Sequence, residues 1–146
     1  MSSGYSGTPL AKKLGCKPGG RLLTRGAPTG FTVPGLPEGC RQARLRTGMT
    51  AGAREDVLLA FYAALSELET TIAALGDAVF PDGALWIAWP RRAAGHDSDI
   101  REQDIRDLAL PLGLVDVKVA AIDEDWSGLR LVWRRERRSA PAAQRG

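Results

Sequence analysis

Apolar residues along this chain follow two rhythms, short unbroken runs and stripes that recur every three or four positions. The most apolar run, Ala84-Leu85-Trp86-Ile87-Ala88-Trp89, is opened by the turn Pro81-Asp82-Gly83 and closed by Pro90. A run that short, without alternation, suits a strand buried on both faces, as in a parallel sheet covered by helices. Val57–Tyr62 reads the same way. Between these strands Leu65, Leu68, Ile72, Leu75 and Val79 form one helical face. Ser66 and Glu69 have capping-box spacing for its start, and Gly76 and Pro81 limit its end. After a polar loop, Arg91–Ser98, Asp99 is placed to cap a second helix. That helix buries Ile105, Leu108, Ala109 and Leu112 and stops at Pro111 and Gly113. Leu114–Ile122, with Val115, Val117 and Val119 alternating, and Leu129–Trp133 are strands. The turn Asp123–Gly128 joins them as an antiparallel hairpin.

The first third is punctuated by glycine and proline. Thr8 as cap, Pro9 at the first helical position and Gly15 as stop predict a short helix with Leu10 and Leu14 on one face. Lys17–Gly20 is a turn, Arg21–Arg25 a strand and Gly26–Gly30 a loop, which is how a nucleotide-binding α/β domain begins. Pro34, Gly35, Pro37 and Gly39 forbid a long helix after Phe31. Cys40–Thr47 alternates weakly, as an edge strand would, and Gly48–Gly52 reads as a flexible loop. The reading is an α/β, Rossmann-like three-layer sandwich over residues 1–134. Its sheet is mostly parallel, it ends in an antiparallel hairpin, and its first half is abbreviated. A disordered Arg/Ala/Pro tail is expected over residues 135–146.

Composition narrows the class. Among 146 residues, 44% hydrophobic and 25% charged content are ordinary globular values. No apolar run approaches a membrane span, and the polar start Met1–Gly7 has no signal core, so a soluble cytoplasmic protein without membrane contact is expected. Cys16 and Cys40 lack the close spacing of zinc ligands and read as two small, buried or half-buried thiols. The net charge of +3 is unevenly spread. Residues 1–54 carry +8, residues 55–133 carry −9 and residues 134–146 carry +4. A basic end against an acidic body fits internal complementarity with a solvated tail better than nucleic-acid contact, since no aromatic residues interleave with the tail arginines.

Two resemblances follow from particular residues. Phe80-Pro81-Asp82-Gly83-Ala84-Leu85-Trp86 looks like the turn and strand that class I methyltransferases often write as Lys-Pro-Gly-Gly before an apolar run. Leu112-Gly113-Leu114-Val115 looks like their Gly-Phe entry to the next strand, and Gly128–Arg134 resembles their closing strand. Nearly the whole chain also resembles the bacterial domain-of-unknown-function family numbered 3052. The resemblance rests on Tyr5–Gly15, Gly83–Pro90, Gly113–Val119 and Trp126–Arg130. It implies a small soluble protein and brings no established activity or catalytic residues.

In an open α/β sheet the ligand crevice lies beyond the carboxyl ends of the strands at the switch in strand order. The candidates there are Gly26, Ala27, Pro28 and Gly30 on one loop, Tyr62 after the next strand, and Trp89, Pro90 and Arg91 after the third. Glycines would let backbone approach a ligand, and Arg91 would favour an anion. Against S-adenosylmethionine, Pro28 takes the middle position of what methyltransferases usually write as Gly-x-Gly-x-Gly. The only acid between Gly30 and Glu55 is Glu38, in a Pro/Gly loop, where a ribose-binding acid would be needed. His96 is the only histidine, and Ser127 lacks a nucleophile-elbow context, so no catalytic or metal-binding residue is assigned. The expectation is a non-catalytic protein that binds a small ligand or a protein partner. An S-adenosylmethionine-dependent methyltransferase with an atypical loop is the alternative, and nucleic-acid binding through the basic segments the second.

Overall fold

The computed structural model describes residues 9–45, 54–91, 95 and 98–138. The sheet has six strands: β1 (Arg21–Arg25), β2 (Arg41–Leu45), β3 (Val57–Phe61), β4 (Ala84–Pro90), β5 (Leu114–Ala121) and β6 (Trp126–Trp133). Their spatial order is β2-β1-β3-β4-β6-β5. The pairs from β2 through β4 are parallel, whereas β6 runs antiparallel to both β4 and β5. Helices α1 (Leu10–Leu14), α2 (Leu65–Val79) and α3 (Glu102–Ala109) pack on the sheet.

Each face of the sheet carries its own apolar cluster. Leu58, Ala60, Leu85, Ile87, Leu129, Leu131 and Trp133 pack beneath α2 and α3. Leu22, Val57, Leu59, Phe61, Trp86 and Ala88 pack beneath α1, Val33 and Ile122. Trp86 and Trp89 fall in different clusters, as strand alternation requires. All five residues of β3 are buried, which is why its run shows no alternation. The layer over the second face is thin. The connection from β1 to β2 holds no helix among its residues, and Phe31, Val33 and Leu36 cover the sheet from irregular backbone.

Several turns are set by close approach. A β-carbon on Gly83 would collide with the Glu55 carbonyl and lie 2.9 Å from the Val79 carbonyl. The Pro-Asp-Gly turn therefore works because its last residue has no side chain. Gly76 does not end α2. It sits inside the helix, where its carbonyl accepts from Trp133 Nε1 at 2.9 Å.

Caps differ from the sequence expectation. Ser66 and Glu69 do not start α2; the helix begins at Leu65, whose amide donates to Asp99 Oδ1 at 2.8 Å. Asp99 thus caps α2 rather than α3, at whose start the Arg101 amide donates to Asp104 Oδ2 at 2.9 Å. At α1, Pro9 occupies the N-cap position rather than the first helical one, while Gly15 stops the helix in the left-handed region. The hairpin strand β6 starts at Trp126, earlier than Leu129. In β5 a register shift between Asp116 and Lys118 leaves Val117 and Val119 exposed at the sheet edge, so the valine alternation does not mark a buried face. Arg135–Arg137 form a 3-10 turn at the start of the expected tail. Residues 139–146, Gly48–Gly52, Thr8 and His96 lie outside the described residues.

Candidate functional site

Strand order puts the switch point between β1 and β3. From β1 the chain passes to β2 on one side, and then crosses to β3 on the other. The sequence candidates do gather at this end of the sheet. Gly26 and Gly30 follow β1 in the left-handed region, and Gly26 abuts Phe61, where a β-carbon would lie 2.9 Å from the Phe61 carbonyl. Tyr62 continues β3 and donates its amide to the Ala88 carbonyl at 2.9 Å. Trp89 and Pro90 end β4.

They do not, however, face one another across a single crevice. Ala27 packs on the α1 side of the sheet, and Trp89 packs on the α2–α3 side. β3 stands between them. Its exit is occupied from both faces. On the α1 side the ring of Phe31 lies edge-on to Phe61 with centroids 4.9 Å apart, and Trp126 meets Phe61 from the other direction at 5.0 Å. On the helix side the Arg25 guanidinium lies 4.2 Å over the Tyr62 ring. It also donates to the Phe61 carbonyl at 3.3 Å and pairs with Glu67 at 3.0 Å. Phe61 and Tyr62 are 3% and 1% exposed, so neither offers surface to a ligand. The Tyr62 hydroxyl shares a 2.6 Å hydrogen bond with Thr71, and burial raises its pKa above the ordinary phenol value. Beyond Tyr62, Ser98 Oγ donates to the Ala63 carbonyl at 3.2 Å and Asp99 accepts from Leu65. That segment is strapped down by the loop leading to α3.

Arg91 is also committed. Its amide donates to the Asp125 carbonyl at 2.8 Å, and its Nη1 donates to the Asp123 and Glu124 carbonyls. The arginine therefore ties the end of β4 to the hairpin turn. In the same turn Asp123 Oδ1 accepts from the amides of Asp125 and Trp126, which fixes the backbone of the acidic run. Among the described residues no three His, Cys, Asp or Glu side chains converge as a metal site requires. Burial and the neighbouring Cys40 push the Cys16 thiol up to about 11, away from the thiolate a nucleophile needs. No helix among the described residues is long and apolar enough to cross a membrane.

The fold has solved counterparts. Over 82% of this chain and 85% of the other, the structure is similar to a SAM dependent methyltransferase from Aquifex aeolicus, with a TM-score of 0.59 at 13% identity. A possible exported protein from Bordetella parapertussis aligns over 86% of this chain and 66% of its own, with a TM-score of 0.54 at 10% identity. The fold is methyltransferase-like. At these identities the likeness extends to architecture alone. No protein-family model matches the chain, and no curated protein does.

The residues present do not fit the cofactor that this fold commonly holds. The loop after β1 has Pro28 in place of a glycine, and no helix follows it to offer amide groups to an anion. β2 ends in Arg44-Leu45 rather than an acid. Sequence reasoning located this end of the sheet but missed Arg25 and misassigned Asp99. An arginine closing a strand just before a glycine was the available signal for Arg25.

Proposed function

We infer that this chain is a small non-catalytic α/β protein, built on a methyltransferase-like fold, that binds a small ligand or a protein partner. The observation that carries this reading is the burial of Phe61 and Tyr62 at the switch point, beneath Phe31, Trp126 and Arg25. A cofactor site there would need open backbone. The hydrogen-bonding and ring contacts are instead satisfied within the protein, which favours a structural role for this end of the sheet. Arg91, held by the hairpin turn, supports the same reading.

Fold likeness favours one second reading, a methyltransferase with an atypical cofactor loop. Thermal unfolding with S-adenosylhomocysteine separates the two. A ligand at about a hundredfold its Kd adds about 2.7 kcal/mol of stability. The non-catalytic reading predicts an unchanged midpoint at millimolar ligand; a rise that saturates with concentration supports the methyltransferase.

A further inference from the structure

The opposite end of the sheet, where β1, β3 and β4 begin, holds a cavity of about 360 Å³. Its wall includes the turn from Gly15 to Arg21 together with Asp56, Asp82 and Arg130. The volume lies within the ordinary range for small-molecule sites.

Arg130 is the anomaly in this wall. β6 sends Leu129, Leu131 and Trp133 into the cluster beneath α2 and α3. Alternation turns Arg130 to the other face, at the register position opposite Trp86. A charge is thereby placed where the sheet otherwise presents apolar groups. Its guanidinium reaches the end of α1, since a β-carbon on Gly15 would lie 3.7 Å from Nη2. Its Nε is buried and has no hydrogen-bond partner among the described residues. Buried donors of charged groups are seldom left unpaired, so such an atom marks where an acceptor belongs.

The wall carries charges of both signs. Asp56 accepts from the Arg21 amide at 3.0 Å. Buried Glu55, just behind, faces the Arg21 guanidinium at 3.6 Å. Lys17 and Arg130 are the cations of the wall left without such a pair, and Asp82 shares it with them.

We propose that this cavity binds a small ligand bearing an oxyanion, a carboxylate or a phosphate, anchored by Arg130 with Lys17 as the second cation. The paired N–H donors of an arginine guanidinium match two oxygens of either group. The proposal rests on the reading of the chain as a binding protein and supplies its ligand class. It also moves the site to the end of the sheet away from the switch point.

The test is a calorimetric titration of the full chain with inorganic phosphate and, separately, with succinate, each against sodium chloride at matched ionic strength. Saturable one-to-one binding of either probe above the chloride control supports the site. The stronger arm identifies the head group as phosphate or carboxylate. Arg130→Lys, which keeps the charge and loses the fork, weakens that binding by about ten- to a hundredfold. Arg135→Gln, on the exposed turn after β6, leaves it unchanged. Absence of saturable binding by both probes overturns the proposal, as does Arg130→Lys binding like the parent. Should Arg130→Lys fail to fold, Lys17→Gln on the exposed turn decides: weaker binding supports the site, and unchanged binding overturns the two-cation arrangement. Titrating the same sample with S-adenosylmethionine separates the failures, because cofactor binding would overturn the non-catalytic reading without altering the phosphate or succinate result.

Discussion

Trp86→Ala removes the group on which the thin side of the sandwich depends. Trp86 is fully buried at the centre of β4. Its Nε1 donates to the Leu14 carbonyl at 3.1 Å, which ties the end of α1 to the sheet. A β-carbon on Gly128 would lie 2.6 Å from Ile122 Cδ1 and 3.0 Å from a carbon of the Trp86 ring. Truncating a buried tryptophan costs about 3–5 kcal/mol. Leaving a buried carbonyl without its donor costs about 1–3 kcal/mol more. Together these approach the whole stability of an ordinary domain, about 5–15 kcal/mol. Trp86→Phe keeps most of the apolar volume and loses the N–H, so about 1–3 kcal/mol is expected from the hydrogen bond. Equilibrium urea unfolding followed by far-ultraviolet circular dichroism reads both variants. With a slope of about 1–3 kcal/mol per molar urea, the Phe variant unfolds at about 1 M lower urea. The Ala variant is largely unfolded with little or none. An Ala midpoint equal to the parent's would refute the placement of Trp86. Equal losses for Phe and Ala would refute the division between packing and hydrogen bond.

Gly83→Ala is expected to destabilise severely, because the new methyl would collide with the Glu55 carbonyl and approach that of Val79; the urea midpoint reads it. Asp99→Ala removes the cap of α2 and is expected to cost about 1 kcal/mol, whereas Ser66→Ala leaves the midpoint within about 0.5 kcal/mol. Asp116 is held below the usual carboxylate range, chiefly by its hydrogen bond from Arg106 at 2.8 Å. Its contribution to stability is therefore complete above the unfolded pKa of about 3.9 and is lost as pH falls through the lower folded value. Acid titration of Asp116→Asn should show a smaller fall in stability below about pH 4 than the parent.

The architecture was legible where burial is two-sided. Val57–Phe61 and Ala84–Pro90 are unbroken apolar runs because helices or loops cover both faces of those strands. The edge strand β2 showed only weak alternation, since three of its five residues are exposed. Caps were less legible. Asp99 lies 34 residues from the amide it accepts, and Ser66 and Glu69 offered a local pattern that the fold does not use. At the switch point, strand order gave the location but not the contents. What occupies the exit of β3 comes from Arg25, Phe31 and Trp126, which are distant in sequence from Phe61 and Tyr62 and meet them only once the sheet has formed. Arg130 carried a readable sign, a lone charge within Leu129-Arg130-Leu131-Val132-Trp133. Only the packing shows that its Nε is buried.

The non-catalytic reading rests on Phe31, Trp126 and Arg25 covering the exit of β3. Backbone amide spectra of the isotopically labelled chain, recorded as S-adenosylmethionine is added to millimolar concentration, test it residue by residue. The account predicts that the resonances of Gly26, Gly30, Phe61 and Tyr62 do not move. Saturable shifts at those residues, fitting one site, would contradict it.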